Sequence, residues 1–314
     1  MNTSLAIHGA VPLTHLGIIG ARGADAATFL QGQLTNDVAT LGTAKARLAG
    51  FCSAKGRLQA SFVVASAGAG EFALLCAASV LPAVLKRLSM FVLRAQCKLR
   101  DASAESPLWG LLGDAAVAQS GALPFWGRSE TAGAVTIRLP DAAGVARCIV
   151  IGPSEAEVAA WPAVSLDHWR WLEVQSGIPM IEAATVEQFV PQMLNYEIVG
   201  GVDFQKGCYP GQEVVARSQY RGTIKRRMFL FDTEASASPG QEVFHSADAA
   251  QPAGMVVNAA PLPGGPGSSA LVEVKLSALD GGSLHLGGAG GAVLRLGTLP
   301  YTIAADAADA AQPG

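Results

Sequence analysis

Hydrophobic positions along most of this chain come in short runs of strand character, and helical spacing appears in only a few places. Leu48–Cys52 and Leu58–Ala65 flank the turn Ser53-Ala54-Lys55-Gly56 and predict a hairpin. Leu13–Ile19, Phe72–Cys76, Leu99–Asp101, Leu108–Leu112, Val135–Leu139 and Ala146–Ile151 predict further strands. Ser79–Arg94 carries Val80, Val84, Leu88 and Phe91 on one helical face and Lys86, Arg87 and Arg94 on another, which is the pattern of core packing. Asp25 suits the N-cap or first turn of a helix through Phe29, Leu30 and Leu34. Ser154 starts a helix through Ala160, and Asp167 caps one over His168–Ser176 that Gly177 and Pro179 close.

The texture changes at Met228. Met228–Phe231, Val243–His245, Gly254–Asn258, Ala270–Leu276 and Ala292–Arg295 are short strands between Gly, Pro and Ser turns, the pattern of a small β-barrel. Pro261–Ser269 reads as a flexible loop. With 314 residues the chain exceeds what one core usually covers. The predicted architecture is α+β: two sheet-and-helix subdomains facing each other, residues 1–100 and 101–227, a C-terminal β-barrel over 228–303, and a disordered tail over 304–314. No internal repeat is visible in the sequence.

Composition narrows the function classes. Half the residues are hydrophobic and 15% are charged, a globular balance. A net charge of −3 implies no global attraction to nucleic acid or anionic membrane, so any basic site is local. The five cysteines fit neither a disulfide framework nor zinc spacing, and an unpatterned odd count suits the cytoplasm. No signal peptide is expected at the N-terminus. Phe72–Leu85, the longest charge-free apolar stretch beyond it, is too short to span a bilayer and contains Pro82. Gly17, Gly20 and Gly23 lack the spacing of a dinucleotide loop.

The candidate chemistry concentrates at Lys206-Gly207-Cys208-Tyr209-Pro210-Gly211-Gln212-Glu213. Gly207 and Gly211 allow positive φ and close backbone approach. Pro210 suits a helix start, with the helix over Glu213–Ser218 or slightly beyond. Cys208 would then lie just before a helix N-terminus, two residues from Lys206, and both features favour a thiolate. A buried, inert thiol is the commoner fate of a cysteine; these surroundings point to a reactive one at the mouth of a ligand site.

The longer run Asp203–Arg226, DFQKGCYPGQEVVARSQYRGTIKR, closely resembles the signature of the YgfZ-type folate-binding proteins, with supporting matches from about Gly23 to Arg227. These are relatives of the glycine-cleavage T protein that act in iron–sulfur cluster maintenance and have been linked to tRNA modification. The resemblance implies a folate-binding fold with tetrahydrofolate or a derivative as cofactor and no tightly bound metal. It implies catalytic roles for Cys208 and Lys206, and ligand contacts from Tyr209, Gln212 and Glu213. Phe29–Val38 resembles the segment that lines the folate cavity in the T-protein relatives. From the residues alone Gln31, Asn36 and Asp37 read as a polar turn bonding backbone; the resemblance instead sets them against the pterin edge. It also selects Trp169 as the ring that stacks on the ligand, and leaves Trp171 as core.

Three departures qualify this picture. Gln59, Ala60 and Ser61 stand where the T-protein relatives have an acidic pair, which argues against glycine-cleavage activity. Gln175 stands where the family has an acidic residue gripping the pterin. An aliphatic Leu16 falls near the family's other contacting aromatic. The basic run Arg217, Arg221, Lys225, Arg226 and Arg227 is either a solvated face or a landing site for an anion, the folate tail ahead of an RNA backbone. The leading expectation is a folate-binding protein that supports iron–sulfur client enzymes or assembly factors through Cys208. The alternatives are a folate-dependent methyl- or aminomethyltransferase, and an RNA-associated factor of tRNA modification.

Overall fold

The structure is a computed structural model that describes residues 7–68, 70–220 and 224–303. The expected tail over 304–314 and Arg221 lie outside the described residues.

In chain order the first half contains β1 (Gly9–Pro12), β2 (Leu16–Arg22), α1 (Ala26–Gln31), β3 (Ala46–Cys52), β4 (Leu58–Gly68), β5 (Glu71–Ala77), α2 (Leu81–Val92) and β6 (Lys98–Asp101). Then follow β7 (Leu108–Leu112), α3 (Asp114–Ser120), β8 (Arg128–Thr131), β9 (Ala134–Ala142), β10 (Val145–Ile151), α4 (Glu155–Ala159), α5 (Leu166–Gln175) and α6 (Gln212–Tyr220). The C-terminal part is β11 (Arg226–Thr233), β12 (Glu242–His245), β13 (Asp248–Pro261), β14 (Ser268–Lys275), β15 (Leu284–Leu286) and β16 (Val293–Leu296).

Two antiparallel sheets, ordered β3-β4-β5-β2-β6 and β1-β7-β10-β9-β8, face each other. Strand alternation decides which residues meet between them. Ile18 and Leu75 of the first sheet join Leu112, Ile137, Leu139 and Ile149 of the second, together with Trp169 and Leu172 of α5. The opposite face of the first sheet, with Ala49, Phe51, Phe62 and Leu74, is covered by α1 and by Val84 and Leu88 of α2. The third unit is a closed barrel, β11-β14-β13-β12-β15-β16, filled by Phe231, Val243, Val256 and Val272. A separate apolar cluster of Leu58, Val174, Phe189, Leu230 and Leu271 seats the barrel against the hairpin and α5.

The α+β architecture with two facing sheets and a terminal barrel is therefore as the pattern predicts. Several local expectations are corrected. The first predicted strand, Leu13–Ile19, forms as β2 a few residues later, and β1, which the pattern did not predict, pairs with β7 of the second sheet, so residues 9–12 do not belong to the first sheet. Ser165, not Asp167, is the N-cap of α5, its hydroxyl accepting from the His168 N–H. Ser154 forms the expected cap of α4, with Glu157 completing a capping box. The stretch after Pro261 is a tight hairpin closed by Leu262 N–H to Gly267 O at 3.1 Å. Strands β8 and β15 and helix α3 were not predicted; each is short, and α3 is mostly alanine and polar residues without a marked apolar stripe.

Candidate functional site

Between the two sheets lies a cleft with about 600 Å³ of space between atoms, open in part to solvent. Its walls are mostly apolar: Leu16, Leu48, Val63 and Leu75 from the first sheet, Leu139 and Ile149 from the second, and Trp126 and Met180 from connecting segments. Two charged side chains interrupt this lining, Arg147 on β10 and Glu173 on α5. A concave apolar site with a few convergent polar groups is the usual form of a small-molecule pocket.

The charged pair is organised around one indole. Trp169 is fully buried, and its Nε1 donates to Glu173 Oε1 at 2.7 Å. The Arg147 guanidinium lies over the same ring at 5.9 Å from its centroid. His15 Nε2 approaches both Glu173 oxygens, at 3.1 and 3.0 Å. Burial pushes the Glu173 carboxyl up, but the charge and hydrogen bond of His15, the Trp169 N–H and the charge of Arg147 outweigh it and hold the carboxyl below its ordinary value. Arg147 is wholly enclosed, and burial pulls it down to about 10 against the opposing charges of Glu173 and Asp141. Its Nε and Nη2 donate to Pro140 O at 3.2 and 3.1 Å, and Nη1 has no hydrogen-bond partner among the described residues.

Sequence reasoning missed Glu173, Arg147 and His15. The periodicity of α5 carried a usable signal, because Trp169 and Glu173 are four residues apart on one helical face. Arg147 carried none, since a single cation in a strand reads as an outward residue.

Several expected site residues are placed elsewhere. Trp169 offers no stacking face to the cleft; it is packed beneath the wall against Gly110 and Leu13, where even a Cβ on Gly110 would meet its ring at 2.4 Å. Trp126 is the indole that lines the cleft. Gln175 points the other way, donating to Ser269 Oγ on the barrel at 3.1 Å. Trp171 is half-buried and reaches the same hydroxyl at 3.3 Å. Gln31 Oε1 accepts from the backbone of Val38 and Ala39, at 2.7 and 3.1 Å. Asn36 Nδ2 donates to Leu48 O at 2.6 Å and Gly200 O at 2.7 Å. Asp37 pairs with Arg47 at 3.3 Å and bonds Thr40. These three side chains bond the surrounding chain and lie outside the cleft lining.

The KGCYPGQE segment is a loop running into α6. It docks on the β3–β4 turn, where Gly211 has φ +79° and a Cβ there would meet Ser53 O at 2.4 Å. Glycine is required at that contact. Cys208 is exposed and lies outside the cleft lining. Three residues separate it from the start of α6 at Gln212. The Lys206 ammonium turns away to cap the end of α1, donating to the Gln31 and Leu34 carbonyls, the latter at 2.6 Å. Burial draws Lys206 down to about 8, opposed by the charges of Asp37, Asp203 and Cys208. Tyr209 is buried with its ring 5.1 Å from the Lys206 nitrogen; Gln212 is half-buried and Glu213 exposed. Asn36 bridges Gly200, upstream of the segment, to Leu48 on the cleft wall.

The basic run is not one face. Arg217 pairs with Glu213 at 2.8 Å. Arg226 pairs with Glu273 on β14 at 2.8 Å, and Arg227 is buried against Glu197 and donates to Gln192 O at 2.9 Å. Arg226 and Arg227 are thus engaged in ion pairs within the fold. Beside Ala60, Gln59 Nε2 donates to Glu187 Oε1 at 2.6 Å, outside the cleft.

The other four cysteines are buried; burial raises Cys97 and pushes Cys52, Cys76 and Cys148 up to about 12. Alkylation of the native protein near pH 8 should therefore add one label, on Cys208, with the other four reacting only after unfolding. Intact-mass and peptide mapping would check this, and labelling of a second cysteine at a comparable rate would contradict it.

Among the described residues no helix is long and apolar enough to cross a membrane. No group of three His, Cys, Asp or Glu side chains among them is placed to hold a metal.

The fold is that of the aminomethyltransferases of glycine cleavage. The chain superposes on aminomethyltransferase T of the glycine cleavage system from Bartonella henselae with a TM-score of 0.74, over 95% of this chain and 87% of that one, at 17% identity. No family model matches the chain. It is 33% identical over 247 residues to the tRNA-modifying protein YgfZ of Edwardsiella ictaluri, covering 70% of each chain. It is 32% identical over 236 residues to that of Vibrio vulnificus, covering 72% of this chain and 71% of the relative. An uncharacterized protein of Haemophilus influenzae is 31% identical over 238 residues, 74% of this chain and 77% of its own. The chain belongs to the YgfZ family.

Proposed function

We propose that this protein binds a reduced folate in the cleft between its two sheets and, through Cys208, supports the assembly or repair of iron–sulfur clusters in client enzymes. The observation that carries the folate reading is the cleft itself, a mostly apolar site with a partly buried carboxylate on its wall. The lining fits a pterin. Leu16, Leu139 and Trp126 offer faces to a planar ring, and Glu173 can accept from the ring's amino edge. Glu173 takes the part expected of Gln175, from the preceding half-turn of the same helix.

Cys208 is the thiol that solvent and a partner protein can reach. One cysteine cannot hold a two-iron or cubane cluster, which takes four protein ligands, so any cluster would be shared with a client or held transiently. The relatives' name, tRNA-modifying protein, favours clients that act on tRNA. Direct RNA contact is the weaker reading, because Arg226 and Arg227 are neutralised by glutamates. A folate-dependent transferase is disfavoured because Ala60 leaves no acid in the position where the fold's transferases carry one.

The test is a tetrahydrofolate titration followed by tryptophan fluorescence. Saturable quenching is expected in the wild type and much smaller quenching in Trp126→Leu. Absence of saturable binding would remove the folate reading. Cys208→Ser should keep folate affinity yet lose the cellular function of a YgfZ-deficient strain; full complementation would show the thiol to be dispensable.

A further inference from the structure

Resting on the folate reading, we infer that Arg147 is a specificity-determining residue of the cleft, which reads the oxo group of a 2-amino-4-oxopterin and rejects 2,4-diaminopteridines. The Arg147 guanidinium and the Glu173 carboxylate line the same cleft and are held to one indole, the cation over its face and the anion on its N–H. The wall thus presents a donor and an acceptor anchored to the same ring. Both are positioned from behind: Pro140 O holds two of the guanidinium nitrogens, and His15 with Trp169 holds the carboxylate. Each keeps capacity toward the cleft, since Nη1 of Arg147 has no partner among the described residues and Glu173 Oε2 accepts from His15 alone.

The complement of that pair is a ring edge that donates twice and then accepts. A 2-amino-4-oxopterin offers the 2-amino group and N3–H to the carboxylate and the adjacent O4 to the guanidinium. A 2,4-diaminopteridine has no N3–H and turns a 4-amino donor toward Arg147, leaving two donors face to face in an apolar slot. Sites that hydrogen-bond a specific group reject the analogue lacking it, because buried polar groups are then unpaired. Even with burial drawing it down to about 10, Arg147 stays charged at the pH of the test and does not adapt by losing a proton, which makes the rejection firm.

The experiment uses folic acid and its 4-amino-4-deoxy derivative, which differ only at the pterin's fourth position, in calorimetric titrations at about pH 8, where the free diamino ring is neutral. The wild type should prefer the oxo compound on the order of a hundredfold, the worth of one charge-assisted hydrogen bond. Arg147→Met should shrink the preference to about tenfold or less, chiefly through lost oxo affinity, and Arg147→Lys should recover part of it. Circular dichroism reports whether each variant folds; if Arg147→Met does not, the wild-type ratio and Arg147→Lys decide. Near-equal affinities in the wild type would overturn the inference and leave the folate reading standing. So would a folded Arg147→Met with an unchanged ratio, or with equal losses for both ligands. Binding of neither compound, nor of tetrahydrofolate, would overturn the folate reading and this inference with it.

Discussion

Trimming Trp169 to alanine should lower stability by about 3–5 kcal/mol, the range for large aromatics removed from a core. The ring is fully buried between the sheets and α5. Gly110 has no side chain to move in, and it is glycine there because the indole needs the room. The loss also strips Glu173 of one hydrogen bond and Arg147 of the ring beneath its guanidinium, so one partly and one wholly buried charge lose support at once. Urea denaturation would measure the effect. A cost below about 1 kcal/mol, within the range of ordinary surface substitutions and their scatter, would mean the ring is not the packing centre described here. Lost folate binding in Trp169→Ala would by itself say little about stacking, whereas Trp126→Leu separates contact from collapse.

Glu173→Gln should weaken tetrahydrofolate binding roughly tenfold to a hundredfold, the worth of a hydrogen bond to a charged group. A carboxamide accepts with one end only and carries no charge, while the neighbouring cation Arg147 stays in place. The same variant should change the acid limb of stability. The folded carboxyl titrates below its ordinary value, so its contribution is present above that ordinary value and is lost as pH falls through the depressed one. Wild-type stability should therefore drop more steeply than that of Glu173→Gln as pH falls below about 4.5. Parallel acid limbs would show that the carboxylate is not held in charged form by His15 and Arg147. Unchanged folate affinity would show that the ligand is gripped elsewhere.

These two residues also show where local reading of the chain stops. The alternation of Leu58–Ala65, the helical stripe of Val80, Val84 and Leu88, and the Gly/Pro-punctuated strands after Met228 specified sheets, helix and barrel from neighbours alone, because burial period is a local property. The glycines and cysteine of the KGCYPGQE segment were likewise visible, and Gly211 does meet the hairpin turn by close approach. Which side chains face the cleft depended on how three units pack. Rotation of α5 put Glu173 into the cleft, Trp169 beneath its wall and Gln175 against the barrel. Register in β10 carried Arg147 inward, and the distant partners Glu197 and Glu273 turned Arg227 and Arg226 from a surface run into internal pairs. Periodicity identifies an element and its buried face; a charged residue's partner lies across the fold, so its role emerges only when the sheets, α5 and the barrel are assembled.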